Sequence, residues 1–461
     1  MFVQSASGDY VQEIMSEDLE IEDGEVTAAE LSDVVGKEIH RVFDLTCDYP
    51  IRAKLYKDGA SGTRYLLLTI HHIAFDEWSI NILLREFEVF YKARSIGQAP
   101  QLPPLKIEYC DFAVWQREYL SKRMPELVTY WREYLAGYET ISFPSDYTRP
   151  TRIDYRGGVH RFELSEGLTR QLYALSESLG VTLYTVLLGG FGLLLSCYTG
   201  QDDLLIGTPV ANRQHPDLAH LIGFFVNTLV LRLRIDGDLD LAGYLRQLQE
   251  RVIEAQWHQD LPFEKLIDSL GIERDISRHP LFQILFTVQY DLGVVSSEYL
   301  EVVDFKEQPY QVAKFDLSLN IQASKNGIRG GFTYASALFK ESSIARLSGH
   351  YIQLLTVMLE QAQAPIRTYS VLTKDEYALM VHTWNKTTRD YPRDKTIDEL
   401  FRDQVLKSPD AIALMYEGET LCYGDLDKLS NQLASTIKAH YQDEDLRDRL
   451  IGLCVSRSMD M

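Results

Sequence analysis

Two adjacent histidines, His71 and His72, end an apolar run, Tyr65-Leu-Leu-Leu-Thr-Ile70, and Asp76, Glu77, Trp78 and Ser79 come shortly after. Imidazole takes or gives a proton near neutrality without help from its surroundings, so a fixed histidine here could act as a general base or acid. Neighbours in an extended or turning backbone face different ways, so one ring can point into a cleft while the other packs or hydrogen-bonds inward. Asp76 is placed to order the turn, by capping a helix after it or by pairing with a cation elsewhere. Two plainer readings compete. A His-His pair at a strand end can be structural, or half of a metal site, although no third ligand stands at a recognisable spacing.

The elements that hold these residues are set by spacing. The run before His71 reads as a buried strand. After Ser79, Ile80, Leu83, Leu84, Phe87, Phe90 and Tyr91 recur at helical spacing, so the histidines sit on a strand-to-helix turn. Upstream, residues 2–4 and 11–14 read as hairpin arms around Ser7-Gly8-Asp9, and the acidic stretch 16–30 as a solvated loop and helix start. Downstream, residues 182–198 are apolar nearly all round and predict a buried helix. A short strand comes next at 203–207. Apolar residues at 229, 231, 233 and 235, with Thr228, Arg232 and Arg234 opposite, predict a half-buried strand. Pro262 is placed to start a short helix. Strands are expected at 284–290, 315–322 and 328–334 and a long helix at 339–361, so this half alternates helix and strand in α/β fashion.

At 461 residues the chain has room for two to three domains, and 45% hydrophobic with 25% charged residues is ordinary for a globular protein. A net charge of −21 argues against a nucleic-acid partner. Cys47, Cys110, Cys197, Cys422 and Cys454 are odd in number and scattered, which fits buried free thiols in a reducing compartment. The first residues lack the basic and apolar regions of a signal peptide, and the apolar stretch 186–198 is too short to span a bilayer. A cytoplasmic location with no membrane partner is expected.

His71-His72-x-x-x-Asp76 resembles the His-His-x-x-x-Asp-Gly motif of the condensation domains of nonribosomal peptide synthetases, with Glu77 where that family has Gly. These domains are relatives of chloramphenicol acetyltransferase, built as two similar lobes around a tunnel. Further matches come in order. Phe43-Asp-Leu45 with the strand ending at Tyr56 is first, then Tyr109-Cys-Asp111-Phe112-Ala113-Val-Trp115-Gln116, a helix expected to pack Trp115 on the core. Tyr130 to Gly137 and Phe143 to Pro150 resemble the crossover between lobes. Thr208-Pro209-Val-Ala-Asn212-Arg213, Ile222-Gly223-Phe-Phe-Val-Asn227-Thr228, His258-Gln-Asp-Leu-Pro262-Phe-Glu264 and Arg274 to Gln283 resemble family motifs of the second lobe. The family's first strand, first long helix and basic motif have no counterpart, so the chain is expected to begin late in the first lobe. From Trp384-Asn385 onward, Thr396 to Phe401, Ser408 to Leu414, Thr420 to Leu426, Asn431 to Ala434 and Ile451 to Arg457 resemble the opening of an adenylation domain, without its phosphate loop.

The resemblance implies an α/β, two-lobed chloramphenicol acetyltransferase-like condensation fold with a partial adenylation-domain N-terminus after it. The expected divisions are an N-terminal lobe at 1–130, the crossover at 131–155, a C-terminal lobe at 156–365, a linker at 366–390 and the adenylation start at 391–461. It implies amide formation between an acyl or peptidyl thioester and an aminoacyl thioester. Both would arrive on phosphopantetheine arms of upstream and downstream peptidyl carrier domains, with an adenylation domain adjoining and no cofactor bound directly. His72 would take the proton of the attacking amine or hold it in position, while His71 supports the fold. Asp76 would be structural, paired with Arg213, with Arg278 in reserve. Glu77, Trp78, Ser79, Asn227 and Arg278 are tunnel or structural candidates, and His258 and His279 read as structural. Glu77 is expected either to carry backbone strain where Gly would be relaxed or to be favoured at a helix N-terminus. The competing functions are a non-catalytic truncated remnant or docking platform, and an acyltransferase on a free amine or alcohol.

Overall fold

The computed structural model describes residues 1–461 without 6, 7, 9, 273, 274, 291–298, 302, 304–311, 325, 326, 442–449 and 460, and the chain divides after Glu376 into two units. In the first unit β1 (Phe2–Gln4) and β2 (Tyr10–Gln12) pair antiparallel, as the hairpin reading expects; Ser7 and Asp9 of its turn lie outside the described residues. The acidic stretch is not a loop throughout. Its residues Ile21–Glu25 form β3, parallel to β4 (Ile51–Lys57), which pairs antiparallel with β5 (Arg64–Ile70). So polar a strand is possible because β3 is an edge, paired on one side with its side chains largely in solvent. Gly24 also gives the Tyr56 ring room, since a Cβ there would lie 2.8 Å from it. Helix α1 (Leu31–His40) buries Leu31 and Val35 with Val26 and Tyr56 in a small core.

Beyond β5 the chain turns into α2 (Glu77–Ser95), the strand-turn-helix that the spacing predicts, and then into α3 (Tyr109–Tyr134). On α3 the inward positions are taken by Phe112, Leu127 and Trp131. Trp115, expected in the core, lies on the flank at 52% exposure, stacked on Tyr119.

The second lobe begins with β6 (Gly157–Glu163), α4 (Glu166–Leu179), α5 (Leu183–Thr199), β7 (Asp203–Val210) and β8 (Asn227–Arg234). It continues with α6 (Leu241–Trp257), α7 (Phe263–Leu270), β9 (Ile284–Tyr290), β10 (Leu317–Ser324), β11 (Gly327–Ala335) and α8 (Glu341–Glu360). The sheet runs β6-β11-β10-β9-β7-β8, parallel where β9 meets β10 and β7 and antiparallel elsewhere. Helix α5 is buried through nearly its whole length, as its all-round apolar sequence requires. Strand β8 departs from expectation at one residue of its polar face: Arg234 is exposed and Thr228 half-buried, but Arg232 is inside. Arg232 is 5% exposed, bonded to Asp203 and to the Tyr134 and Ala136 carbonyls at 2.8 Å, so the crossover covers it.

The segment expected to open a linker is partly core, since Ile366 and Tyr369 are buried with the second lobe. A short helix α9 (Lys374–Tyr377) straddles the division. The second unit holds α10 (Ile397–Lys407), the hairpin β12 (Ile412–Tyr416) and β13 (Glu419–Cys422), and α11 (Tyr423–His440). No described residue after Tyr369 is buried. The five cysteines are free but not buried: four are exposed and Cys422 is half-buried. Among the described residues no single helix is long and apolar enough to cross a membrane.

Candidate active site

The backbone N–H of His71 donates to the Pro50 carbonyl at 2.8 Å, one residue past the end of β5, and residues His72–Ala74 then form a single 3₁₀ turn. The two imidazoles are held in opposite senses. His71 Nδ1 accepts the Ile73 N–H at 3.1 Å and its ring stands edge-on to Phe43, so in the neutral ring the proton is on Nε2. His72 Nδ1 lies 2.6 Å from the Phe75 carbonyl. A carbonyl only accepts, so Nδ1 carries the hydrogen there, and the neutral ring keeps a lone pair on Nε2. His72 is exposed where His71 is half-buried, and its ring meets Phe224 of the second lobe edge to face at 5.1 Å.

Asp76 both caps α2 and pairs with a cation. Its Oδ1 accepts from the Ser79 N–H at 3.0 Å, the Ser79 hydroxyl at 2.7 Å and Arg213 Nη2 at 2.9 Å. Its Oδ2 accepts from the Phe225 N–H and Arg213 Nη2, both at 3.1 Å. The side chains of Arg213 and Asp76 are 2% and 4% exposed, so this is a buried pair; both Asp76 oxygens and both terminal Arg213 nitrogens are hydrogen-bonded, while Arg213 Nε has no partner, and such bonding is what makes a buried pair tolerable. Arg213 Nη1 donates to the Leu218 and Leu221 carbonyls, and the guanidinium lies 4.0 Å from the centre of the Phe225 ring. Burial lowers the pKa of Arg213 while the Asp76 charge opposes the shift.

Ser79 is fully buried and ties the same knot from the helix. Its hydroxyl donates to Asp76 and takes both the Gly223 N–H and Arg213 Nη2 at 3.1 Å. The Asp76 N–H donates to the Gly223 carbonyl, and the Tyr109 hydroxyl to the Phe224 carbonyl at 2.8 Å. Glycine is needed at 223, where a Cβ would lie 2.4 Å from the Tyr109 ring. Burial raises the pKa of the Tyr109 phenol, with Asp76 adding to the effect.

The other expected residues are scattered around this knot. Glu77 is the first residue of α2, and its carboxylate accepts from Gln289 of β9. Among the described residues the non-glycine ones with left-handed backbone are Asn212, Leu281 and Glu417, so the strain anticipated at Glu77 is absent and its helix-terminal placement is the favourable one. Trp78 donates from Nε1 to the Ala219 carbonyl at 3.1 Å. Asn227 is a staple, donating to the Gln259 and Leu261 carbonyls and accepting from the Thr228 and Phe263 N–H groups. Arg278, the reserve partner for Asp76, pairs instead with exposed Asp275 at 3.1 Å. His258 bonds the Glu254 carbonyl and stacks on Tyr130, and His279 packs against Phe315; Arg274 lies outside the described residues. Among the described residues no three His, Cys, Asp or Glu side chains group as a metal site. Sequence reasoning missed Phe224, Tyr109 and Gln289 as neighbours of the turn. The Gly223-Phe224-Phe225 motif was visible, but not that it crosses to the other lobe.

A family model described as "Condensation domain" matches residues 1–381. Among curated proteins, a linear gramicidin synthase of Brevibacillus parabrevis is 39% identical over 438 residues, which is 94% of this chain and 8% of that protein. The chain therefore spans less than a tenth of that relative. Among solved structures, the X-domain from teicoplanin biosynthesis superposes with a TM-score of 0.72 at 26% identity, covering 80% of this chain and 85% of that one. A holo four-domain nonribosomal peptide synthetase bound to AMP and glycine gives 0.73 at 23% identity, over 92% of this chain and 33% of that one.

Proposed function

The chain belongs to the condensation domain family, and on that premise we propose that it joins two carrier-bound substrates by an amide bond in nonribosomal peptide synthesis. The observation that carries this reading is His72: an exposed imidazole with Nδ1–H committed to its own turn, leaving the Nε2 lone pair free. The amine of a downstream aminoacyl thioester attacks the carbonyl of an upstream acyl or peptidyl thioester. A C–N bond forms, the C–S bond breaks, and the proton lost by the amine passes to His72 Nε2 as the thiolate leaves. Holding both thioesters in one cleft makes the aminolysis effectively intramolecular, which is the larger share of the acceleration. Asp76, Arg213 and Ser79 keep the turn in place and touch no reacting atom.

In this reading the substrates ride on phosphopantetheine arms of upstream and downstream peptidyl carrier domains, and the chain itself binds no cofactor. Residues 391–461 are the start of an adjoining adenylation domain, a reading supported by their sequence resemblance and by their separate unit. The five free cysteines favour the cytoplasm, and the net charge of −21 disfavours a nucleic-acid partner.

The test is amide formation from one donor-loaded and one acceptor-loaded carrier domain, compared with the same donor and a free amino acid or amine. Product that requires the loaded acceptor supports the proposal. Equal product from the free amine would make the chain a small-molecule acyltransferase, and none from either would leave it a binding platform.

A further inference from the structure

The knot around Asp76 does more than lock the turn. It fixes three consecutive residues of the second lobe beside it. At Gly223 both N–H and carbonyl are engaged by Ser79 and Asp76; at Phe224 the carbonyl takes the Tyr109 phenol; at Phe225 the N–H is spent on Asp76 Oδ2. Phe225 is then buried at 3%, as a core residue should be. Phe224 is not: it is 36% exposed, yet its backbone is clamped from both sides and its ring meets the His72 ring at 5.1 Å and 81°. A large apolar ring held rigidly in partial exposure serves its neighbour more than it serves the core.

We propose that Phe224 is a positioning residue for His72, one lobe supplying the base and the other supplying the wall that aims it. The imidazole has two torsions. The Nδ1 contact with the Phe75 carbonyl restrains the ring from one edge, and without a second surface it could swing about that contact. Phe224 supplies that surface. The edge-to-face geometry is the one aromatic pairs prefer. Because the Phe224 backbone depends on the Asp76–Ser79–Tyr109 set, any shift between the lobes reaches His72 through this ring.

This inference rests on His72 being the proton acceptor, so its test has one arm that needs no reaction. In the full chain carrying ¹⁵N-labelled histidine, with the His72 signals assigned by their loss in His72→Ala, Phe224→Ala should shift the His72 resonances and reduce the Nδ1–H tautomer. With loaded carriers, Phe224→Ala should lower kcat by about 10- to 100-fold with KM changed less than about threefold, as misplacement of a reacting group does. Phe224→Tyr, which keeps the ring, should recover most of the loss. Tyr109→Phe should cost less, and adding it to Phe224→Ala should cost nothing further, since both act through one contact. Unchanged His72 resonances in Phe224→Ala overturn the proposal, whether or not the chain makes amide. So does a fall in kcat that Phe224→Tyr fails to recover while melting is unaffected.

Discussion

At the scale of single residues, the unusual feature is how much polarity is buried to hold one exposed imidazole. Asp76 and Arg213 sit almost fully inside the protein, and breaking one side of such a pair costs about 3–5 kcal/mol because the survivor is stranded. Asp76→Ala and Arg213→Ala should each lower the melting temperature strongly, and the double variant should lose less than the sum of the two. Strict additivity in denaturant titrations would mean that the pair does not act as one. Glu77 is the opposite case, an exposed carboxylate at a helix start with a second-lobe partner. Glu77→Gly removes both advantages and adds the entropy of glycine, so it should destabilise by about 0.5–1 kcal/mol; a stabilised variant would restore the strain reading. Arg213 as the partner of Asp76 was legible through motif position alone. Ser79 as the hub was not, because a serine three residues past a helix cap looks the same whether it faces solvent or a second lobe.

Among the elements, the strands and helices with strong periodicity lie close to where the spacing puts them. Two departures come from polar residues, which a linear reading keeps out of strands and buried faces. Strand β3 is acidic but paired at an edge, and β8 carries Arg232 inward because Asp203 and two crossover carbonyls receive it. Helix α8 shows a third buried polar arrangement. His350 is 7% exposed, with Nδ1 2.7 Å from the Tyr198 hydroxyl and Nε2 3.0 Å from both oxygens of Glu376 in α9. Burial alone would raise the Glu376 pKa, but hydrogen bonds from Thr373 and His350 outweigh it and hold the carboxyl at about 2 against an ordinary 4.5. A depressed folded-state pKa gives stability that is present above the ordinary value and lost as pH falls through the depressed one. The stability gap between the parent and Glu376→Gln should therefore shrink as pH drops from about 4.5 toward about 2. A gap constant across that window would show that the carboxylate is not held as described.

For the whole molecule, the ordered motifs identified the family, the two-lobed fold and the Asp76–Arg213 pair, while the other contacts between lobes that make the site came only with the structure. Nothing in a linear reading says that residue 72 meets residue 224. Every buried residue lies at or before Tyr369 among the described residues, so a chain ending at Glu376 should keep the melting transition of the first unit; losing that transition would mean the second unit supports the first. The central claim is that the two lobes are locked together to present His72 to a thioester aminolysis. It is tested most directly by the rate of amide formation from loaded carrier domains with His72→Ala, set beside the parent and checked by thermal melting. The expected result is a fall of about 10²- to 10⁴-fold with melting unchanged, the usual worth of a positioned general base. A His72→Ala chain that forms the amide at the parent's rate would contradict the claim.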